Sequence, residues 1–579
     1  MQYKLIESNY NGKSPLYKVL CNRGIKDPIH YLNTTEQDVI NPQTIKNVPE
    51  GAKKLVEHIN AESDIFVNVD SDCDGFTSSA VLINWLFRTF PGFAAQHISW
   101  GFHQDKGHGL LMNQIEKLHP QLVLCPDAGS EEYEKHKRLK ELGIDLIIID
   151  HHNAEKYSED AIVINNQLDT NYPTKSLSGA GMVYKFCSFL DNLLHKTTVT
   201  EMLDLAMTGV IADVMELKDY ETRYLVDLGL SKISNPFLTA MIAKNDFYFK
   251  DGITATKIAW YVAPAINAIT RMGTLEEREI LFSAMLEYKA YETILSTKRG
   301  HKVGEMETYV EQAVRTCTNV KRRQDKLRDE EFEQIENIIA TNRLLDNKIL
   351  IVKLENPTET SRTITGLIAN KLMSTYGRPT LLLNKTLDSQ NNVIWAGSAR
   401  NNPNNGLESI QKFVNDSKLA EYASGHDNAC GIAFTDGNLD KFISYSNKEL
   451  SNIEFTTSYD VDLEYYAQQI NSIDILELAD ANWIWGQGVD EPLIAIKNIN
   501  IIEDRLHLFG ESTLKIDLDD NISLVKFKSS QAEFDNLDPK SGCTVIDIVG
   551  RCGKNTGWDN GPQIYITDYN IVRKQEYYF

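Results

Sequence analysis

IFVNVDSDCDGFTSS, residues Ile65–Ser79, starts as a short, largely apolar run and then turns acidic. Ile65 to Val69 has the length and β-branched content of a buried strand. It ends in three carboxylates at alternate positions, Asp70, Asp72 and Asp74, followed by Gly75. Without a cation their mutual repulsion would raise their pKa values or push them into water, so the pattern points to a bound divalent ion. An acidic turn left in solvent is the plainer reading. A calcium-binding EF-hand loop, whose first six positions this matches, is excluded: its twelfth position needs a bidentate Glu and is Val81 here, and the motif follows a strand rather than a helix.

Outward from this stretch the chain alternates. A helix is expected over Glu50–Asn60 before the strand, and an apolar helix Ser78–Phe87 after it. Strand Phe93–Trp100 leads to a helix near Leu111–Leu118, strand Leu122–Cys125 to the charged helix Glu131–Leu142, and strand Asp145–Ile149 runs into Asp150. Repeated β-α units imply an α/β fold with a parallel sheet covered by helices on both faces. Ligands of such sheets bind beyond the carboxyl ends of the strands. Three strand ends carry chemistry: Asp70, Asp72 and Asp74; then Pro126-Asp127-Ala128-Gly129; then Asp150-His151-His152. Asp127 alone reads as a turn residue and the His pair alone as a surface accident; their shared place at strand ends is what makes them a site. Parallel strands bring them to one edge and give ligands enough for two metals. Carboxylate mixed with imidazole suits manganese ahead of magnesium, and two such ions about 3.5–4 Å apart can clamp a phosphoryl group for in-line attack. Phosphoester hydrolysis is the chemistry indicated.

The 579 residues suffice for three or four domains, and 42% hydrophobic with 24% charged residues is an ordinary globular balance. No apolar run reaches the roughly 18 residues of a membrane span, and MQYKLIESNYNGK has no signal-peptide core. Eight cysteines without a C-x-x-C pair argue against a disulfide framework and a structural zinc site, and fit a reducing cytoplasm. The net charge of −22 opposes tight coating of duplex DNA, yet a local basic groove is enough for a strand.

VDSDCDG, PDAG and IIIDHH, in this order, resemble the signature motifs of the DHH phosphoesterase superfamily. SLSGAGMVYKF (Ser176–Phe186) and LDLAMTGVIADVMEL (Leu203–Leu217) are similar to its fourth motif region, with Asp213 in the place of the last metal ligand. ETRYLVDLGL and VAPAINAITRMG follow as in RecJ-type single-strand-specific exonucleases, and WAGSAR (Trp395–Arg400) and ASGHDNACG (Ala423–Gly431) resemble the phosphate-binding motifs of the associated DHHA1 domain. The resemblance implies a metal set of Asp70, Asp72, Asp74, Asp127, His151 and Asp213, with the share of the first three acids left open. It implies that Asp150 orients its neighbouring imidazole and that His152 faces the scissile phosphate. It implies a substrate wall of Ser398, Arg400, Gly425, His426 and Asn428, with Arg271 as an added cation. Some flanks depart from the family pattern: Ser424, Cys430, Ala265 and Thr270 replace a glycine, an alanine, an arginine and a glycine, and Gln104 and His108 stand where Arg and Tyr are usual.

No proline occurs between Pro264 and Pro357, a segment rich in Glu, Lys, Arg and Leu, which reads as a helical bridge. Its basic run Lys321-Arg322-Arg323, with Lys326 and Arg328, reads first as a solvated helix face and only second as a DNA contact. Beyond Ser451 the runs LIAIKNINII, STLKIDL, SLVKFKS, CTVIDIVGRC and PQIYITDYNIV suggest a small OB-like barrel, with Phe527, Trp558 and Tyr565 as candidate base platforms. The expected organisation is a DHH catalytic domain over 1–270, a helical connector over 271–345, a DHHA1 domain over 346–448 and an OB-like domain over 449–579.

The function expected from the resemblance is a manganese- or magnesium-dependent exonuclease that degrades single-stranded DNA from its 5′ end in recombination, repair or replication. A helicase or single-strand-binding protein is the partner class expected, together with a monomeric state and a cytoplasmic location, that of the host if the chain is phage-encoded. Two other readings fit the fold: a phosphoesterase of short oligonucleotides, phosphoadenosine phosphate or cyclic dinucleotides, and a non-catalytic replication scaffold. The strand-guiding C-terminal region speaks against the first, and the intact metal ligands against the second.

Overall fold

The structure is a computed structural model that describes all residues except Asn9, Asn11, 105–106, Ser389, Thr457, Ser541, 556–559 and 577–579; for 359–361 and Glu576 it describes the backbone only. The chain forms two compact units, Arg23–Arg322 with Asn482–Asp490, and Met1–Asn22 with Arg323–Ala481 and Glu491–Phe579.

The first unit is built on a five-stranded sheet in the order Ile98–Phe102, Ile65–Val69, Leu122–Pro126, Asp145–Asp150, Ile162–Asn165. Every neighbouring pair is parallel. Period-2 alternation divides each strand between two cores. Ile65, Val67, Leu124, Ile147 and Ile149 join the larger one, and Phe66, Val123, Cys125 and Ile148 the smaller one on the opposite face. The α/β reading of a parallel sheet clothed on both faces therefore holds. Among the described residues no helix is long and apolar enough to cross a membrane.

The expected strand over Phe93–Trp100 is corrected. Pro91–His97 is a helix with Pro at its start, and the strand begins only at Ile98. Proline presets the helical φ at a position whose N–H has no helical partner, which outweighs the aromatic strand signal. Strand Ile162–Asn165 adds to the expected set, because four residues in a polar context carry no clear period. The bridge is only partly helical. Helix Leu275–Met285, started by the Thr274–Glu277 capping box, is followed by the hairpin Thr293–Leu295/Met306–Thr308 and then by the 33-residue helix Tyr309–Thr341. On that helix Lys326 pairs with Glu330, and Arg328 with Asp325 and Asp329.

The second unit holds two mixed sheets. One has five strands in the order Tyr422–His426, Ala429–Thr435, Val393–Arg400, Thr380–Leu387, Leu350–Leu354. The other has seven, among them Ile494–Ile501, Thr513–Asp517, Ser523–Phe527, Gly542–Lys554 and Pro562–Glu576, which are the five runs expected at this end of the chain. Its long central pair is interrupted by bulges at Val545/Ile546 and Val549/Gly550. The first strand of the chain, Gln2–Leu5, pairs in parallel with Ser458–Val461.

Candidate metal centre

At the carboxyl edge of the parallel sheet the backbone stops being strand and starts to present oxygen and nitrogen. Strand Ile65–Val69 delivers Asp70 directly; Asp72 is the N-cap of helix Cys73–Thr89 and accepts from the Gly75 N–H at 2.9 Å. Asp74, in the first turn of that helix, is buried and aimed at another helix start: Ser178 Oγ donates to its Oδ1 at 2.7 Å, the Gly179 N–H to Oδ2 at 2.7 Å and the Ala180 N–H to Oδ1 at 3.1 Å. The positive end of helix Gly179–Leu194 thus supports a carboxylate that is already in place. Close approach explains two glycines: a Cβ on Gly179 would overlap Asp127, and one on Gly209 would overlap Asp74.

Strand Leu122–Pro126 ends in Asp127, whose φ of 63° is a left-handed conformation that Asp tolerates better than most residues. Asp213 caps helix Leu203–Ala212, and Val214 after it takes φ 58°, a strained value for a β-branched side chain. Strand Asp145–Asp150 delivers the last group. His151 Nε2 lies 3.3 Å from Asp127 Oδ1, 3.4 Å from Asp213 Oδ2 and 3.8 Å from Asp74 Oδ2. Among the described residues three groups of potential ligands lie close together: Asp74, His151 and Asp213; Asp70, Asp72 and Asp127; and Asp127, Asp150, His151 and His152. The six expected ligands therefore come together.

Two atoms at the centre, Asp127 Oδ1 and His151 Nε2, are buried with no hydrogen-bond partner. Burial without partners costs both groups, and a cation between them would supply what is missing. The ionisation pattern agrees. Burial raises the Asp127 carboxyl well above the carboxylate range, with Asp74 and Asp72 adding to it. Burial, then Asp74, raises Asp213, and burial with Asp70 and Asp74 pushes Asp72 up to about 6. Burial lowers His151, which keeps the imidazole neutral and its lone pair available. These are acids that gain from exchanging protons for a metal, and the donor set fits a divalent cation.

Asp150 and His152 are arranged differently. Asp150 Oδ1 accepts the N–H of His151 at 2.7 Å, the N–H of His152 at 3.2 Å and His152 Nδ1 at 2.8 Å, while Oδ2 accepts the Ser130 N–H at 3.1 Å. The imidazole that Asp150 orients is thus that of His152. Burial alone would raise Asp150, but the His152 hydrogen bond, the charges of His152 and His151 and the Ser130 contact together outweigh it and hold the carboxyl below the usual range. His152 is pushed up to about 9 by that same bond and stands 58% exposed as a cation at the rim.

Sequence reasoning missed the groups that hold these ligands. Ser178 and the amides after it were within a quoted motif but had no role. His108, noted only as a departure, donates from Nδ1 to Asp70 Oδ2 at 2.6 Å, and the Gly109 N–H reaches Asp70 Oδ1 at 3.2 Å. Asp70, His108, Asp127, Asp150 and His152 line one cavity of about 360 Å³. Asn267 Oδ1 accepts the Cys73 N–H at 3.0 Å, and Arg271 stands one turn further along helix Ala263–Met272, on the same face.

The expected substrate wall lies in the other unit. Ser398 is in register with Gly431, itself opposite Ser424, while Arg400 is opposite Ala429 and so in line with His426. Ser398 and Arg400 share a sheet face. Gly425 takes φ 122°, which only glycine adopts without strain. The Asn428 amide accepts from Asn401 Nδ2 at 2.8 Å and donates to the Glu408 carbonyl at 2.8 Å. Trp558 is outside the described residues; Phe527 and Tyr565 lie 5.8 Å apart, ring centre to ring centre.

Residues 64–210 match the DHH family, N-terminal domain. Over 586 aligned positions the chain is 35% identical to the SPbeta prophage-derived YorK protein of Bacillus subtilis strain 168, provisionally named a single-strand DNA-specific exonuclease; the match covers 100% of this chain and 99% of YorK. It is 25% identical over 570 residues to the single-stranded-DNA-specific exonuclease RecJ of the same organism, covering 94% of this chain and 66% of RecJ. The fold is that of RecJ from Thermus thermophilus solved with Mn2+, with a TM-score of 0.70 at 18% identity over 97% of this chain and 76% of that one; the Mg2+ complex gives 0.66. The DHH match sits on the strands and loops that build the centre, and the likeness to YorK runs the full length, so the chain belongs to the DHH-family exonucleases of the YorK and RecJ kind.

Proposed function

We propose that this protein is a metal-dependent exonuclease that removes nucleotides from the 5′ end of single-stranded DNA in recombination, repair or replication. The observation that carries the reading is the pair of buried, unpartnered atoms, Asp127 Oδ1 and His151 Nε2, inside a ring of carboxylates at the sheet edge. Asp70, Asp72, Asp74, Asp127, His151 and Asp213 would hold two divalent cations, manganese before magnesium, as the imidazole in the set favours. YorK and RecJ are named for single-strand DNA, and RecJ has been solved with both metals. When bound, such ions neutralise phosphate charge and activate water for in-line attack.

The chain's own groups do the rest. Asp150 keeps His152 protonated and pointed, so that its other ring N–H can donate to a phosphate oxygen or to the leaving 3′ oxygen. His108 and the Gly109 amide hold Asp70 in one orientation, as the Ser178–Ala180 turn holds Asp74. Arg271, Ser398, Arg400, Gly425, His426 and Asn428 are assigned to binding the strand's phosphates: a guanidinium fork, a hydroxyl and close backbone approach suit them. The assignment of residues 1–270 to catalysis, 271–345 to bridging, 346–448 to phosphate binding and 449–579 to strand guidance belongs to the same proposal. So do a monomeric state, a helicase or single-strand-binding protein that supplies free ends, and a host cytoplasm, which the prophage origin of YorK supports.

The test is Mn2+-dependent digestion of 3′-labelled single-stranded DNA, with and without a 5′ block, for the wild type, Asp127→Ala and His151→Ala. Stepwise shortening from a free 5′ end, absent in both variants, is the expected result. Hydrolysis of dinucleotides or cyclic dinucleotides with the long strand left intact would overturn it.

A further inference from the structure

Helix Ala255–Tyr261 turns its small and aliphatic side chains inward, and helix Asp246–Phe249 before it buries Phe249 and leaves Phe247 and Tyr248 outside. Ala255 and Ile258 are buried, while Phe247, Tyr248 and Trp260 are 68%, 45% and 72% exposed. Single exposed apolar residues are normal. Here four rings are continuous, with Trp260 next to the last of them in the chain: Phe247 meets Tyr248 edge-on at 5.3 Å, Tyr248 stacks on Tyr261 at 4.0 Å and 16°, and Phe249 meets Tyr261 edge-on at 6.2 Å. Lysines interleave with them. Lys250 Nζ lies 4.8 Å from the centre of the Phe247 ring, Lys244 ends the preceding helix, and Lys257 shares a helix face with Trp260 and Tyr261. Lys257 also donates to the Gly252 carbonyl at 2.9 Å, and Asp246 and Asp251 are the acids of the segment, so lysine outnumbers acid here in a chain of net charge −22.

We propose that this face is a holding site for the single strand on the 3′ side of the nucleotide being removed. The inference rests on the exonuclease reading above. Exposed rings with lysines among them suit the unstacked bases and phosphates of a single strand, Trp260 being the most exposed ring and the cations supplying the charge complement that an uncharged apolar partner would not need. Trp260 is seven residues from Asn267, which holds the Cys73 amide in the metal loop, so the two α-carbons are at most about 25 Å apart.

The probes are 3′-fluorescein dT20 and dT4, bound in EDTA and followed by anisotropy, then digested with Mn2+. Trp260→Ala and the double variant Phe247→Ala/Tyr248→Ala are expected to weaken dT20 binding about tenfold each, within the range of one lost stacking contact, and to lower the preference for dT20 over dT4 by a similar factor. Trp260→Phe, which keeps a ring, retains most of the binding, and both Trp260 variants keep the wild-type unfolding temperature because that side chain is 72% exposed. Wild-type dT20 affinity in both alanine variants, with the wild type cutting dT20 normally, overturns the holding site alone. Failure of the wild-type protein to cut any single strand overturns the exonuclease reading and this inference with it.

Discussion

Asp74, one of the proposed ligands, is prepared one contact at a time. Its two oxygens take a hydroxyl and two amides from Ser178–Ala180, leaving the carboxylate aligned before any ion arrives. Ser178→Ala should weaken Mn2+ binding about 10- to 100-fold, the usual effect of a group that orients a ligand; calorimetric titration of Mn2+ reads this, and an unchanged affinity would assign Ser178 to helix capping alone. The raised carboxyls give a pH dependence with a definite sign. Asp72 and Asp127 hold protons in the folded state above the unfolded value of about 4, so the metal-free protein loses stability as pH rises through about 6 for Asp72 and further for Asp127. Mn2+ takes the place of those protons. The gap in unfolding temperature between Mn2+-loaded and metal-free protein should widen from pH 5 to 7.5; a gap independent of pH would contradict the reading. That the six proposed ligands meet at one edge was legible in the sequence, because strand ends and motif spacing mark them. Their supports were not, since backbone amides carry no sequence signature and His108 acts through a loop whose path only the fold decides.

Elements are held by pairings that hydrophobic patterning does not reveal. Lys185, on helix Gly179–Leu194, and Glu221, on helix Tyr220–Ser231, form an ion pair with both side chains 1% exposed. Glu221 also accepts the Ile40 N–H at 3.0 Å and the Tyr172 hydroxyl at 2.7 Å. Lys185→Met would leave that carboxylate buried without its cation, a loss of about 3–5 kcal/mol that urea unfolding would detect; a change under 1 kcal/mol would mean that Tyr172 and the amide suffice. The parallel strands Ile65–Val69, Leu122–Pro126 and Asp145–Asp150 were readable from short apolar runs. Helix Pro91–His97 was not, because one proline decided between two states that the aromatic residues around it left open.

Across the whole molecule, metal is expected to act on one unit. All six proposed ligands belong to Arg23–Arg322, so calorimetry should resolve two transitions of which Mn2+ shifts only one, by about 2.7 kcal/mol at a hundred times its Kd. Equal shifts of both would show that the units unfold as one. The division itself was hidden in the sequence, because its first residues associate with partners more than four hundred positions away. That pairing of Gln2–Leu5 with Ser458–Val461 also sets an order of events during synthesis. At roughly 5–20 residues per second, the first strand leaves the ribosome about 20–90 s before its neighbour exists, with its amides and carbonyls unpaired throughout. Nearly all of the unit Arg23–Arg322 is translated in that interval, so the nascent chain passes through a state in which that unit can be folded while Gln2–Leu5 waits, unpaired, for Ser458–Val461.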